Sequence, residues 1–232
     1  MADVITSEPK SVVVAAPPLW AVATRKYVVE FIGAFFLTLA VGVAVLSGSV
    51  FTPLAAGATL MVMIYAGGHI SGGHYNPAVT MAALVRRRIG IGNAVGYWIA
   101  QVVGGVVAGA LARAVVNPAT VKTLTLSGHT KAAAAVVELL ITFALCYVVL
   151  NVATSKDQPG NGFFGLAIGF TVAAGAFAVG GISGGVFNPA VALGGATAGL
   201  FAWSTIWIYL LVELGAGIAA GLAFLALNPG DK

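Results

Sequence analysis

Two asparagines, Asn76 and Asn188, stand in nearly the same surroundings: each follows an Ile-Ser-Gly-Gly stretch and is itself followed by Pro-Ala-Val. An asparagine before proline is suited to a helix start, because its side-chain oxygen accepts from the first unpartnered backbone donors. Pro77 and Pro189 fit the first helical turn, where the missing N–H would have no partner anyway. Gly72, Gly73 and Gly184 permit tight turns and keep side chains out of the way, so that backbone carbonyls there, with those at His74 and Val186, can line a lumen. The chemistry this allows is hydrogen bonding to a neutral polar molecule, with no bond made or broken. Asn76, Pro77, Ala78, Asn188, Pro189 and Ala190 are therefore the leading site candidates.

The acids and histidines are fewer. Glu30, Glu138 and Glu213 fall within apolar segments, where an ionisable side chain is a functional candidate by default. The structural reading of Glu30 and Glu138 is that they accept hydrogen bonds from the glycine loops; a proton relay is the alternative. For Glu213 structural, packing and gating roles stand open. His69 and His74 flank the first glycine turn and read as loop-bracing and pore-lining donors. A metal site would need further ligands, and neither a cysteine nor a carboxylate lies nearby. The single cysteine, Cys146, sits in an apolar segment and reads as a small hydrophobe. No nucleophile, base and orienting group recur at useful spacing and no phosphate loop is present, so an enzyme, a cofactor and a metal are not expected.

The elements that must hold these residues follow from an internal repeat. A shift of 112 residues lays Ile70 to Gly73 on Ile182 to Gly185, Asn76 to Val79 on Asn188 to Val191, Tyr97 on Tyr209, Gly105 on Gly217 and Gly109 on Gly221. Val29-Glu30 matches Val137-Glu138 at 108, a difference a loop absorbs. Residues 31–85 and 158–212 carry no Asp, Glu, Lys or Arg, and the chain is 59% hydrophobic and 8% charged. Since one crossing needs roughly 20 apolar residues, each run holds more than one, and the chain is an integral membrane protein. Spans are expected near 27–48, 53–69, 92–116, 132–154, 162–180 and 202–227, with short pieces near 76–86 and 188–198 that reach only partway across. Three crossings per half invert the second half relative to the first.

The fold class is thus an all-α membrane protein of six transmembrane helices plus two re-entrant half-helices in an inverted repeat. Residues 1–26 read as a flexible tail, 27–227 as the channel domain (halves 27–116 and 132–227), and 228–232 as a second tail. Inversion brings both short-helix N-termini to the midplane, each with a partial positive charge of roughly half a unit. Such a site repels cations and passes neutral hydrogen-bonding molecules. Lys10, Arg25, Lys26, Arg86, Arg87, Arg88, Lys156 and Lys232 fall on one side and Arg113, Lys122 and Lys131 on the other, which favours both termini in the cytoplasm. Arg86-Arg87-Arg88 reads as a topology signal and headgroup contact, and the pairs Gly105/Gly109 and Gly217/Gly221 as close helix contacts within the subunit. The scattered basic residues form no stripe for nucleic acid.

The segments His69-Ile-Ser-Gly-Gly-His-Tyr-Asn-Pro-Ala-Val79 and Gly181-Ile-Ser-Gly-Gly-Val-Phe-Asn-Pro-Ala-Val191 resemble the double Asn-Pro-Ala signature of the major intrinsic proteins, the aquaporins and glyceroporins. Glu30 and Glu138 match glutamates that family carries in its first and fourth spans. The resemblance covers about residues 27 to 227 and implies a homotetramer with one pore per subunit. It also implies an outer selectivity filter at Ala56, Ala176, Gly185 and Val191, placed by their spacing from the asparagines. Val191 stands where most members have Arg, and the other three positions lack the bulky side chains of water-selective members. The expectation is a passive, wide-filter channel for water and small neutral solutes such as glycerol, urea, ammonia or metalloid hydroxides. The alternatives are a water-selective channel whose filter is refilled by Phe51, Phe177 or Phe187, and a non-conducting membrane protein. The short loops suggest a plasma or bacterial inner membrane.

Overall fold

The computed structural model describes residues 19–116 and 122–231, which form eight α-helices and one turn of 3-10 helix. Six helices are long and apolar enough to cross a membrane: α1 (Leu19–Leu46), α2 (Thr52–Ser71), α4 (Ile91–Val115), α5 (His129–Thr154), α6 (Phe164–Ser183) and α8 (Ile206–Leu227). Between them lie two short helices, α3 (Pro77–Val85) and α7 (Pro189–Ala198).

Boundaries shift by a few residues from the sequence reading, and two of the shifts are informative. The first helix begins at Leu19, so residues 19–26 of the expected tail are helical; residues 1–18 lie outside the described chain. The sixth helix runs through Gly180 and Gly181 to Ser183. Those glycines do not break it, because the reversal belongs to Gly184 (φ +94), as it belongs to Gly72 (φ +93) after α2. A left-handed residue closing a helix is a glycine position for want of a Cβ clash.

The packing repeats with the sequence. Helix α1 lies against α2 and α4 as α5 lies against α6 and α8, and α2 and α6 pack on each other where the halves meet. Each short helix crosses over: α7 packs on α4 of the first half and α3 on α8 of the second. The paired glycines make this possible. A Cβ on Gly105 would lie 2.4 Å from the Ala190 carbonyl and one on Gly109 2.0 Å from that of Gly194. On the other side a Cβ on Gly217 would lie 2.3 Å from the Ala78 carbonyl. Bare backbone lets helices approach this closely where lipid supplies no hydrophobic drive. The outward residues are large and apolar, among them Ile32, Phe36, Ile99, Val103, Leu140, Phe170, Leu211 and Leu222.

Arg86 departs from its reading as a headgroup contact. It is fully buried, with its guanidinium 4.0 Å from the Phe224 ring centre. It donates to the Asp231 backbone carbonyl (2.7 Å) and forms an ion pair with the Asp231 carboxylate (2.8 Å). Arg88 reaches the same carboxylate at 3.1 Å, and the Lys156 N–H donates to it at 2.9 Å. The chain end, read as a free tail, is thereby pinned to the first half-helix and to the end of α5.

Candidate functional site

Beyond its left-handed glycines, each loop carries one strained residue that is not glycine. Tyr75 (φ +50) and Phe187 (φ +53), directly before the asparagines, are left-handed and bulky, a state costing about 1–3 kcal/mol. Their backbone groups show what holds them there. The Tyr75 N–H donates to Glu30 Oε2 (2.6 Å) and the Phe187 N–H to Glu138 Oε2 (2.8 Å). Their carbonyls accept from the opposite half: Asn188 Nδ2 donates to Tyr75 O (2.9 Å), and Asn76 Nδ2 to Phe187 O (2.8 Å). Each strained residue is therefore tied to its own glutamate on one side and to the other half's asparagine on the other.

Glu30 and Glu138 gather the rest of each loop. Glu30 Oε1 accepts from Ser71 Oγ (2.6 Å) and the His74 N–H (3.0 Å); Glu138 Oε1 accepts from Ser183 Oγ (2.6 Å) and the Val186 N–H (3.0 Å). Both glutamates are completely buried, and charged acceptors make the stronger class of hydrogen bond. Tyr97 donates its hydroxyl to the Ser71 carbonyl and Tyr209 donates to that of Ser183, which closes the C-termini of α2 and α6. The tyrosines and serines were visible in the sequence as repeat mates, but nothing in their type alone assigned the task.

The asparagines cap as their position suggests. Asn76 Oδ1 accepts from the Ala78 N–H (2.8 Å) and Asn188 Oδ1 from the Ala190 N–H (2.9 Å). An amide nitrogen has two hydrogens, and one of each pair is taken by the cross-half bond, which leaves one per asparagine for an occupant of the lumen. Two helix N-termini face the same space, each with unpaired donors and a partial positive charge.

A cavity of about 390 Å³ runs from this point to one face of the protein. Asn76, Asn188, Gly73, His74, Gly184, Gly185 and Val186 line it, together with Ala56, Ala176 and Val191. The four residues placed by spacing from the asparagines thus line the same cavity as they do. Leu37, Leu60, Leu145, Val149, Ile168 and Val172 make the remainder apolar, and Lys122 is the charged residue at the mouth. A second cavity opens to the other face, lined by Gly72, His74, Tyr97, Lys26 and Arg88. His74 borders both, its Nδ1 3.0 Å from Thr80 Oγ1 and its ring edge-on to Tyr97.

His69 does not join this constellation. It is exposed on the last turn of α2 and makes no hydrogen bond to the described residues, so the bracing expected of it falls to Glu30, Ser71 and Tyr97. Its position beside the glycine turn was misleading: the helix continues past it, and the side chain points outward. Of the aromatic residues considered as filter plugs, Phe51 is exposed at the start of α2, outside the cavity wall. Phe187 is fully buried beside Gly175, and Phe177 stands exposed at the mouth. No cluster of three or more metal-ligating side chains occurs among the described residues.

Comparison with known proteins matches this architecture. The sequence model of the Major intrinsic protein family matches residues 20–224. The chain is 42% identical to "Glycerol uptake facilitator protein-like 6" of Lactiplantibacillus plantarum, over 84% of this chain and 95% of that protein. It is 38% identical to "Probable aquaporin TIP1-2" of Oryza sativa subsp. japonica, over 80% of this chain and 76% of the relative. The X-ray structure of the aquaglyceroporin from Plasmodium falciparum superposes with a TM-score of 0.74 at 19% identity, covering 87% of this chain and 95% of that one, and so shares its fold. Matched across both halves in sequence and in the arrangement of its helices, this chain belongs to the major intrinsic protein family.

Proposed function

We propose that the protein is a passive channel for water and small uncharged solutes, with glycerol, urea, ammonia and neutral metalloid hydroxides as the solute classes its filter admits. The observation that carries this reading is the cavity lined by Ala56, Ala176, Gly185 and Val191 with Asn76 and Asn188: the first four are all small and apolar. A narrow polar ring favours water alone, whereas a wide apolar one lowers the cost for a carbon-bearing solute. The names of the relatives, a glycerol uptake facilitator and an aquaporin, fit either kind of cargo. Cations are turned back by the two helix N-termini and by Lys122 at the mouth. A second reading, a water-selective channel, draws on Phe177 at that mouth.

Proteoliposomes separate the two. Under an impermeant sugar both readings give fast osmotic shrinkage by light scattering. Fast re-swelling in glycerol or urea is the outcome expected here; re-swelling no faster than empty liposomes would leave a water channel. The same reading has four copies around a common axis through the apolar outer faces, one pore per copy. It places both termini in the cytoplasm of a plasma or bacterial inner membrane, with lipid around the assembly.

A further inference from the structure

The two halves solve one local problem with different residues. In the first half Gln101 is completely buried, and its Nε2 donates to Glu30 Oε2 (2.8 Å) and to Thr80 Oγ1 (2.9 Å). Both amide hydrogens are thereby used. At the repeat offset of 112 residues Gln101 corresponds to Glu213, and Thr80 corresponds to Ala192. Glu213 is also completely buried, and its carboxyl lies within hydrogen-bonding reach of Glu138 and close to the Asn188 backbone. No donor among the described residues satisfies either of its oxygens.

As a carboxylate Glu213 would be a bare buried anion facing a second one. Apart from the Asn188 backbone, which makes no full hydrogen bond to it, the groups around it offer no relief. Helix α8 packs against α3, α5, α7 and the 3-10 turn Trp203–Thr205. Of these only α5 presents ionisable groups to it, Glu138 and Cys146; the other three contain no ionisable side chain. Tyr209, on α8 itself, spends its hydroxyl on Ser183. Ion pairs among the described residues are confined to Asp231 with Arg86 and Arg88. Two carboxylates in contact without a cation do not both ionise.

A neutral carboxyl resolves the conflict and has the shape of the glutamine it replaces. It brings one hydrogen where glutamine brings two, and the exchange of Thr80 for Ala192 removes the acceptor that the second hydrogen would need. We propose that Glu138 and Glu213 share a single proton carried by Glu213, which donates to Glu138 as Gln101 donates to Glu30. Glu213 is thus a positioning residue for the loop that presents Asn188. It touches no solute, and the inference holds whatever solute passes.

The test is infrared spectroscopy of the reconstituted full-length protein at neutral pH, read beside water permeability and melting temperature. The wild type shows the carbonyl stretch of a neutral carboxylic acid, shifted in heavy water and lost in Glu213→Gln. That variant keeps its permeability, because an amide donates in the same place, and melts only slightly lower, because its second hydrogen finds no acceptor at Ala192. Glu213→Ala, which removes the donor, loses permeability and melts far lower. Absence of the neutral-acid band in the wild type, or its survival in Glu213→Gln, overturns the proposal. So does a Glu213→Gln protein as impaired as Glu213→Ala, since that would mean the charge is what matters. The wild-type spectrum needs no variant to fold.

Discussion

Val191 follows the second Asn-Pro-Ala and puts a branched hydrocarbon where an arginine would offer a fixed charge and a fork of donors. Ala56, Ala176 and Gly185 line the same cavity and are small. Val191→Arg should therefore narrow the cavity and charge it. Glycerol or urea flux is expected to fall about tenfold, a barrier increase of about 1.4 kcal/mol. Water flux should fall less, because water is smaller and can accept from the new donors. Stopped-flow measurement of both fluxes on one preparation checks this, and equal losses would speak against a filter at Val191. The asparagines were legible because the repeat quotes them twice; Ser71 with Ser183 and Tyr97 with Tyr209 were visible as pairs, but their task of closing the loops was not. Nor was Arg86 legible. Its partner Asp231 lies far along the chain in an unremarkable tail, and a run of three arginines looks like any cytoplasmic loop until the fold buries the first of them. His69 misled for the converse reason, since nearness in sequence to a turn does not decide which way a helical side chain points.

At the scale of elements, the helices stand or fall by how closely their backbones approach. On α8, Gly217 has the Ala78 carbonyl where its Cβ would be, while Gly215 two positions earlier has nothing within 4 Å. Gly217→Ala should force α8 off α3 and cost about 1–3 kcal/mol, the usual range for overpacking. Gly215→Ala should be neutral or slightly stabilising, as alanine is the better helix former. Melting of the purified protein in detergent compares the two directly, and equal effects would mean that the contact is not tight. The chain end supplies a second case. The Asp231 carboxyl is held below the ordinary aspartate range, first by the Lys156 N–H and then by Arg86 and Arg88. A depressed acid stabilises the fold above its unfolded value, and that stabilisation is lost as pH falls through the folded value, below about 4. Asp231→Asn should accordingly melt lower at neutral pH and show a smaller further drop on acidification than the wild type. Helix existence and order were legible from apolar length, whereas boundaries depended on which glycine takes the left-handed turn. Residues 19–26 were read as tail although Pro17-Pro18 just before them is a helix-start signal.

At the scale of the molecule, the halves are not two bodies side by side. Each half-helix is packed on the last span of the other half, and each asparagine is bonded to the other half's loop. A carrier that rocks two domains about a central site must open one seal while it forms another. Here the rocking motion would have to tear out Asn76 from Phe187 and Asn188 from Tyr75, the same two bonds that aim the site at its occupant. The machine therefore has no stroke. Its occupants move and it stands still, so no solute can be driven uphill by it and no cycle time limits its throughput. Net traffic in either direction follows the concentration difference across the membrane.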